Sequence, residues 1–419
     1  MILLRNLLIR TVTVYFLLYI FPFPISHIPF GIGKFISECA SSFWQFLTPL
    51  FAKSILGYEK ELSFWGRGSG DTTYNYLLLL LRIVLTFLTV IIWSVTDKLR
   101  KKYGQLEKGL IVLLRYYLAF IMFSYGFSKV FYLQFPELNL MNLTRTFGDS
   151  SPMGLLWKFM GYSEAYSIFS GLMEVIGGIF LLFRKTKILG ALVIFGVMFN
   201  VFMLNMTFDV PVKLFSFHLC VVSLIILIPD YKNLFRFLFL NRPTQPNQIK
   251  NYSKNKTRNW IGYGIKAALV CYMFYGNIDG KISSQKKYGK IAPESELYGI
   301  YEMQKFAING NMLPPLMTDT LRWKSLVIDK TSSLIIRMDN SRIGMKHEID
   351  TVKGTIFLKP YLDKYDEYHF DYVKTDSILM LKSFYAPDTI TITSKKRNRE
   401  DFFLINRGFH WINEYPMQR

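Results

Sequence analysis

Apolar residues in this chain follow two different patterns, and the change between them divides it. Up to about residue 275 they gather in long blocks; beyond that they come in short alternating runs. A bilayer span takes about 20 mainly apolar residues, with a range of roughly 17–25. Seven blocks meet or approach that length: Leu7–Phe23, Tyr74–Thr96, Leu110–Phe127, Ala165–Phe183, Ile188–Met206, Leu214–Pro229 and Trp260–Tyr275. The first ends in Phe-Pro-Phe-Pro with no small-residue cleavage site after it, so it reads as an anchor rather than a removed signal.

The alternating runs predict strands. Residues 297–308 form the longest, followed by 323–329, 333–338, 354–359, 368–373, 377–382 and 389–393, with Asp-Asn, Pro-Asp and Lys-Thr-Asp turns between them. Residues 402–411 read as a last strand with an aromatic end. Such spacing predicts an antiparallel sandwich or small barrel, large enough for its own core without disulfides. The expected fold is an α-helical integral membrane protein of about seven transmembrane helices, followed by an all-β domain. Its divisions are 1–109 (first spans and an outer loop), 110–235 (a four-helix core), 236–275 (linker and last span) and 276–419 (β-rich).

Composition and charge refine this picture. Of 419 residues 51% are hydrophobic, and their clustering excludes both a disordered chain and an ordinary soluble enzyme. The net charge of +20 could suggest nucleic acid, but it is concentrated in the apolar part. Residues 1–275 hold 28 Lys/Arg against 12 Asp/Glu, and residues 276–419 hold 22 against 18. The excess lies in loops between apolar blocks, where it sets topology instead of binding nucleic acid. Counting Lys and Arg in alternate connections gives 17 on the side of the N-terminus and 8 on the other. The N-terminus is therefore expected in the cytoplasm and everything after Tyr275 outside.

Two outer loops are long. Residues 24–73 include the Gly-rich Phe64–Thr73, either an anion-binding nest or flexible lead-in to a helix. Residues 128–164 include 155–161, a short interfacial helix carrying Trp157. The 241–259 linker, with two prolines and several lysines, predicts a solvated face towards lipid headgroups.

Candidate chemistry is sparse. Three cysteines (Cys39, Cys220, Cys271) form no Cys-x-x-Cys, and five histidines show no metal-ligand spacing, so no metal is expected. Phosphate-binding loops, dinucleotide fingerprints and nucleophile elbows are missing too. What remains is a set of ionisable groups inside apolar blocks, where each is expensive and needs a partner or a wet cavity. Arg115 and Lys129 are fourteen residues apart, so they project from similar faces at opposite ends of one helix, as interfacial anchors or as site residues. Glu174 stands mid-block, with Ser170, Gly171, Gly177 and Gly178 on its face, which points it into the bundle. It is either one half of a buried ion pair with Arg115, Arg82 or Lys129, or a proton- or ligand-handling group. Asn200 and Asn205 read as helix-to-helix hydrogen-bonding groups, Asn200 also as a neighbour of Glu174. Lys213 and His218 open the next block, His218 as a structural residue or a proton relay.

At these positions the chain resembles the DoxX family of bacterial membrane proteins. The resemblance rests on Arg115, Gly126-Phe-Ser-Lys129, Glu174-Val-Ile-Gly-Gly178, Asn200 and Pro211-Val-Lys213, in family order, over about a third of the chain. It implies a four-helix core over 110–235, the bacterial inner membrane, and a periplasmic tail like that of longer DoxX-like proteins of Gram-negative bacteria. Some members resemble subunits of a thiosulfate:quinone oxidoreductase, and others associate with oxidative-stress proteins. Distant relatives include the membrane domain of vitamin K-dependent carboxylases. The expectation is a redox-associated subunit holding a quinone or other lipophilic or anionic ligand among Arg115, Lys129, Glu174, Asn200, Lys213 and His218. Lack of a dithiol argues against self-contained thiol chemistry. The alternatives are a non-enzymatic scaffold whose β-domain recruits a periplasmic or membrane partner, and a transporter of a small anion or lipid precursor.

Overall fold

The computed structural model describes residues 2–64, 70–97, 103–244, 255–383, 388–415 and 417. The centre of the Gly-rich stretch, the basic residues at 98–102 and most of the 241–259 linker lie outside these. The chain forms two compact units: residues 1–134 with 165–280, and residues 135–164 with 281–419. The second finding departs from a linear division, because the loop at 135–164 belongs with the β-rich body.

The first unit is helical. Its helices are α1 (Ile2–Ile20), α2 (Ile32–Leu56), α3 (Thr73–Thr96) and α4 (Gly104–Val130). The loop that follows carries α5 (Leu140–Leu143) and α6 (Pro152–Tyr162) of the second unit. The first unit resumes with α7 (Glu164–Leu182), α8 (Lys187–Thr207), α9 (Lys213–Leu227), α10 (Tyr231–Leu238) and α11 (Lys256–Tyr288). Among the described residues six helical segments are long and apolar enough to cross a membrane, and they correspond to the first six blocks. The seventh block does form a helix, α11, but Lys266, Asn277 and four glycines dilute its apolar run below that threshold. Apolar side chains such as Phe87, Ile91 and Ile92 stand exposed on the outer face of α3, as lipid contact requires.

Helix α2 is an element the apolar pattern does not reveal. It runs 25 residues between two left-handed glycines, Gly31 and Gly57, in the connection between the first two apolar blocks. It does not cross, because α1 and α3 run antiparallel. Arg10 near the start of α1 donates to Ser94 Oγ (2.7 Å) and to the Asp97 carbonyl (3.1 Å) at the end of α3. The same guanidinium bonds the Tyr103 hydroxyl, which in turn donates to Asp97 Oδ2 at 2.6 Å. Arg10 thus locks α1, α3 and the start of α4 together.

The second unit is a closed barrel. Strands β1 (Gly299–Ile308), β2 (Asn311–Met312), β3 (Trp323–Ile328), β4 (Ser333–Arg337), β5 (Arg342–Asp350), β6 (Thr355–Pro360), β7 (Tyr368–Lys374), β8 (Ile378–Ser383) and β9 (Ile390–Arg397) form one antiparallel meander. Pairing of β1 with β9, from Ile300↔Arg397 to Ile308↔Ile390, closes it with eight strands, and β2 is a short extension of β1. Of the two architectures expected, sandwich or barrel, the barrel is found. The expected final strand at 402–411 is instead a short helix, α12 (Phe403–Asn406), and irregular chain. Trp323, Tyr301, Phe306, Phe370 and rows of Leu and Ile fill the interior, as side chains do in eight-stranded barrels.

Candidate functional site

Close approach of α4 and α7 creates the polar centre of the helical unit. A Cβ on Gly126 would stand 2.8 Å from the Gly171 carbonyl, and one on Gly171 would stand 2.6 Å from the Gly126 carbonyl. Only glycine fits at such a crossing. Three residues past each glycine comes a charge, Lys129 on α4 and Glu174 on α7, so the crossing itself brings them together. Lys129 Nζ donates to Glu174 Oε1 at 2.5 Å, and both side chains are almost fully buried. Glu174 Oε2 is buried with no hydrogen-bond partner among the described residues.

The other expected site residues go elsewhere. Arg115 donates from Nε (3.1 Å) and Nη2 (2.6 Å) to the Leu181 carbonyl, and Lys266 of α11 donates to the next one, Leu182. These are last-turn carbonyls of α7, left without intrahelical partners and carrying the negative end of the helix dipole. Arg115 is therefore an end-cap for α7, distant in role from Glu174. Asn200 projects outward, exposed, two positions past the buried Met198, and does not join the Glu174 pair. Asn205 does link helices: its Nδ2 donates to Ser216 Oγ of α9 at 3.0 Å.

Lys213 opens α9 and its Nζ pairs with Asp209 at 2.9 Å. Its backbone N–H, with that of Leu214, donates to the Asp71 carboxylate at 2.7 and 3.0 Å. The described end of the Gly-rich stretch therefore brings an anion to a helix N-terminus, where the dipole favours one. His218 sits four residues after Leu214 and is buried. Its Nδ1 lies 2.6 Å from the Leu214 carbonyl, which can only accept, so Nδ1 carries hydrogen. In the neutral ring Nε2 then accepts from the Tyr15 hydroxyl at 2.5 Å. The imidazole stacks on Tyr19 with centroids 4.2 Å apart.

Sequence reasoning thus missed the company His218 keeps. Tyr15 and Tyr19 of α1 project four residues apart, and Arg82 of α3 lies over the Tyr19 ring at 5.5 Å. A polar helical face, Tyr15–Tyr19, inside an anchor segment was the available signal.

In the barrel unit Ser333, His347 and Asp329 gather, with Ser333 Oγ 2.8 Å from His347 Nδ1. Acyl-transfer enzymes use these residue types. Here the Ser333 hydroxyl is fully buried, and Asp329 is committed to the amides of Leu140 (3.1 Å) and Lys330 (2.8 Å). With its serine buried and its carboxylate engaged, the group braces the fold. Among the described residues no cluster of metal-ligating side chains occurs.

No family model matches the chain, and no solved structure does. Over 145 residues, 34% of this chain and 90% of the relative, it is 32% identical to the uncharacterized protein YwoB of Bacillus subtilis (strain 168). Identity at that level along nine-tenths of the relative means that this chain belongs to the YwoB family.

Proposed function

We propose that this is a DoxX-like, multi-pass protein of the bacterial inner membrane that carries a periplasmic barrel and recruits a partner protein through it. The observation that carries this reading is the composition of the barrel unit. Residues 135–164, which leave the membrane unit after α4 and return at α7, form one body with residues 281–419. Arg342 holds the carbonyls of Met141 and Thr144, each at 2.9 Å, Arg399 pairs with Glu137 at 2.6 Å, and Lys290 pairs with Glu164 at 2.7 Å. Chain connections reach this body at three points. Meanwhile the cations expected to hold a ligand are satisfied internally, which favours a structural role for them.

The same body supports a topology. Residues 135–164 and 281–419 share one side of the bilayer. With α7, α8 and α9 as crossings, residues 239–244 fall on the opposite side, which supports α11 as a seventh span. Packing supports this: Phe274 of α11 lies 4.5 Å from Phe123 and 5.4 Å from Phe127, while Lys266 lies near Tyr116, so α11 runs parallel to α4. With an excess of basic residues around the N-terminus and after α9, the barrel side is the periplasm.

The test uses single cysteines in a chain whose native cysteines are replaced by serine. Val352→Cys should react with an impermeant maleimide in spheroplasts, and Phe239→Cys only after permeabilisation; the reverse pattern rejects the topology. A partner recovered with the full chain should be lost on deletion of residues 296–419, whereas Glu174→Gln should lower abundance and leave the partner unchanged. Retention of the partner after the deletion rejects the recruitment role.

One observation favours the second reading, a redox-associated subunit handling a quinone: the open Oε2 of Glu174 could exchange a proton. Quinone absent from purified protein, with quinone-linked activity unaltered in Glu174→Gln and Lys129→Ala, would dismiss it.

A further inference from the structure

Among the described residues Arg82 is a cation without a counter-ion. It is the tenth residue of α3, about 14 Å along the helix from Thr73 at 1.5 Å per residue, well inside the span. A guanidinium stays charged at any ordinary pH and presents five N–H donors. Among the described residues no carboxylate stands within 4.0 Å of it. Its Nε is buried without a hydrogen-bond partner. The groups within electrostatic reach of its charge are the phenols of Tyr19, Tyr15, Tyr74 and Tyr117 and the His218 imidazole, none of them an anion at ordinary pH.

Aromatic faces supply part of what is missing. The guanidinium carbon lies 5.2 Å from the Trp44 ring of α2 and 5.5 Å from that of Tyr19. Ring faces attract a cation but accept hydrogen bonds poorly. The Trp44 indole N–H is itself buried with no acceptor, and Trp44 is a donor only. The Tyr15 hydroxyl hydrogen is already directed at His218. Two buried donors, the Arg82 Nε and the Trp44 indole, thus stand unpartnered beside a fixed positive charge, so the group this place lacks is an acceptor bearing negative charge. Its depth in a span adds a second condition: the anion must arrive on a molecule that dissolves in the bilayer.

We propose that Arg82, with Trp44 and Tyr19 as walls, binds the anionic headgroup of a membrane-resident amphiphile, an oxyanion (carboxylate or phosphate) on a hydrocarbon body. Arginine suits both, since its planar fork matches either oxyanion bidentately. The site is separate from the Lys129–Glu174 pair, whose cation already has its carboxylate. It goes beyond partner recruitment, and neither depends on the other.

Tryptophan fluorescence of the full-length protein in neutral-lipid nanodiscs provides the test. Titration with hexadecyl phosphate and with hexadecanoate should give a saturable change for at least one, and the stronger of the two identifies the headgroup. Hexadecanol should bind at least tenfold more weakly, as should decylubiquinone and inorganic phosphate. Arg82→Gln should weaken anion binding at least tenfold and Arg82→Lys by less, while Trp44→Phe should remove the signal and leave binding detectable by native mass spectrometry. Because the charge is uncompensated in the free protein, Arg82→Gln should melt at or above the wild-type temperature without ligand. A merely structural arginine would instead lower it. Equal binding of hexadecanol, unchanged binding by folded Arg82→Gln, or a lowered melting temperature with binding intact overturns the proposal. Inorganic phosphate binding as tightly as hexadecyl phosphate would overturn the membrane-borne ligand.

Discussion

Lys129 and Glu174 illustrate how a buried pair behaves when one partner is removed. Each charge is tolerated because the other stands 2.5 Å away, so a single neutralisation strands an ion in an apolar interior. Lys129→Met or Glu174→Leu alone should destabilise the helical unit by about 3–5 kcal/mol. The double variant should recover most of the loss, as followed by thermal melting in detergent. Losses that simply add would show that the two do not act as a pair. His347 permits a pH prediction outside the membrane. Burial lowers its pKa below the usual 6.5, against the opposing pull of Asp329 and a bond to the Ser332 backbone. The unfolded chain therefore takes up the proton first as pH falls. Its contribution is fully present above about 6.5 and declines below that value, towards its folded pKa. Barrel stability should drop on acidification through this window, and His347→Gln should flatten the drop. Residue-scale legibility was uneven. Glu174 was readable because a carboxylate in an apolar run must turn inward, and Lys129 was among its three candidate partners. Asn200 was misplaced because helical phase, two residues from Met198, turns it away. Arg115's role depends on carbonyls 66 residues distant, beyond any local pattern.

At the scale of elements the decisive feature is how closely helices approach. Gly171→Ala would put a methyl group 2.6 Å from the Gly126 carbonyl and 2.8 Å from Lys129 Cβ. It should separate α4 from α7 and lower stability by an amount similar to loss of the ion pair, whereas Gly196→Ala, where the added carbon meets nothing within 4 Å, should be harmless. Comparison of the two melting curves decides this. Six spans were legible because twenty apolar residues in a row have few other uses. Helix α2 was not, because serine, lysine and Pro49 break its apolar run while its buried face, Ala40, Trp44, Thr48 and Ala52, repeats every four residues. In the barrel, β3 and β4 depart from simple alternation: Leu326, Val327 and Ile328 are all buried, as are Leu334, Ile335 and Ile336. One set packs inside; Val327, Leu334 and Ile336 pack outside against Leu140 and Ile300. Uninterrupted apolar runs in a barrel strand therefore signal a covered outer face.

For the whole molecule, that cover is a segment borrowed from between two spans. Asp329→Ala removes the acceptor of the Leu140 amide, and Arg342→Ala frees the end of α5. Hydrogen exchange over residues 139–144 should accelerate in both variants while α4 and α7 keep their protection; unchanged exchange would mean that the apolar contacts suffice alone. Closure of β1 onto β9 leaves no long unpaired strand edge among the described residues for another chain to extend.

The borrowed segment also sets a schedule. Leu140 and its acceptor Asp329 are 189 residues apart. At roughly 5–20 residues per second a ribosome needs about 10–40 s to make the second after the first. Throughout that interval Leu140 and Met141 stand without the strands that cover them. The wait ends only once α11 and the strands after it have been made. The outer face of the barrel and its cover are thus completed together, and a chain in which the two fail to meet leaves both apolar surfaces exposed.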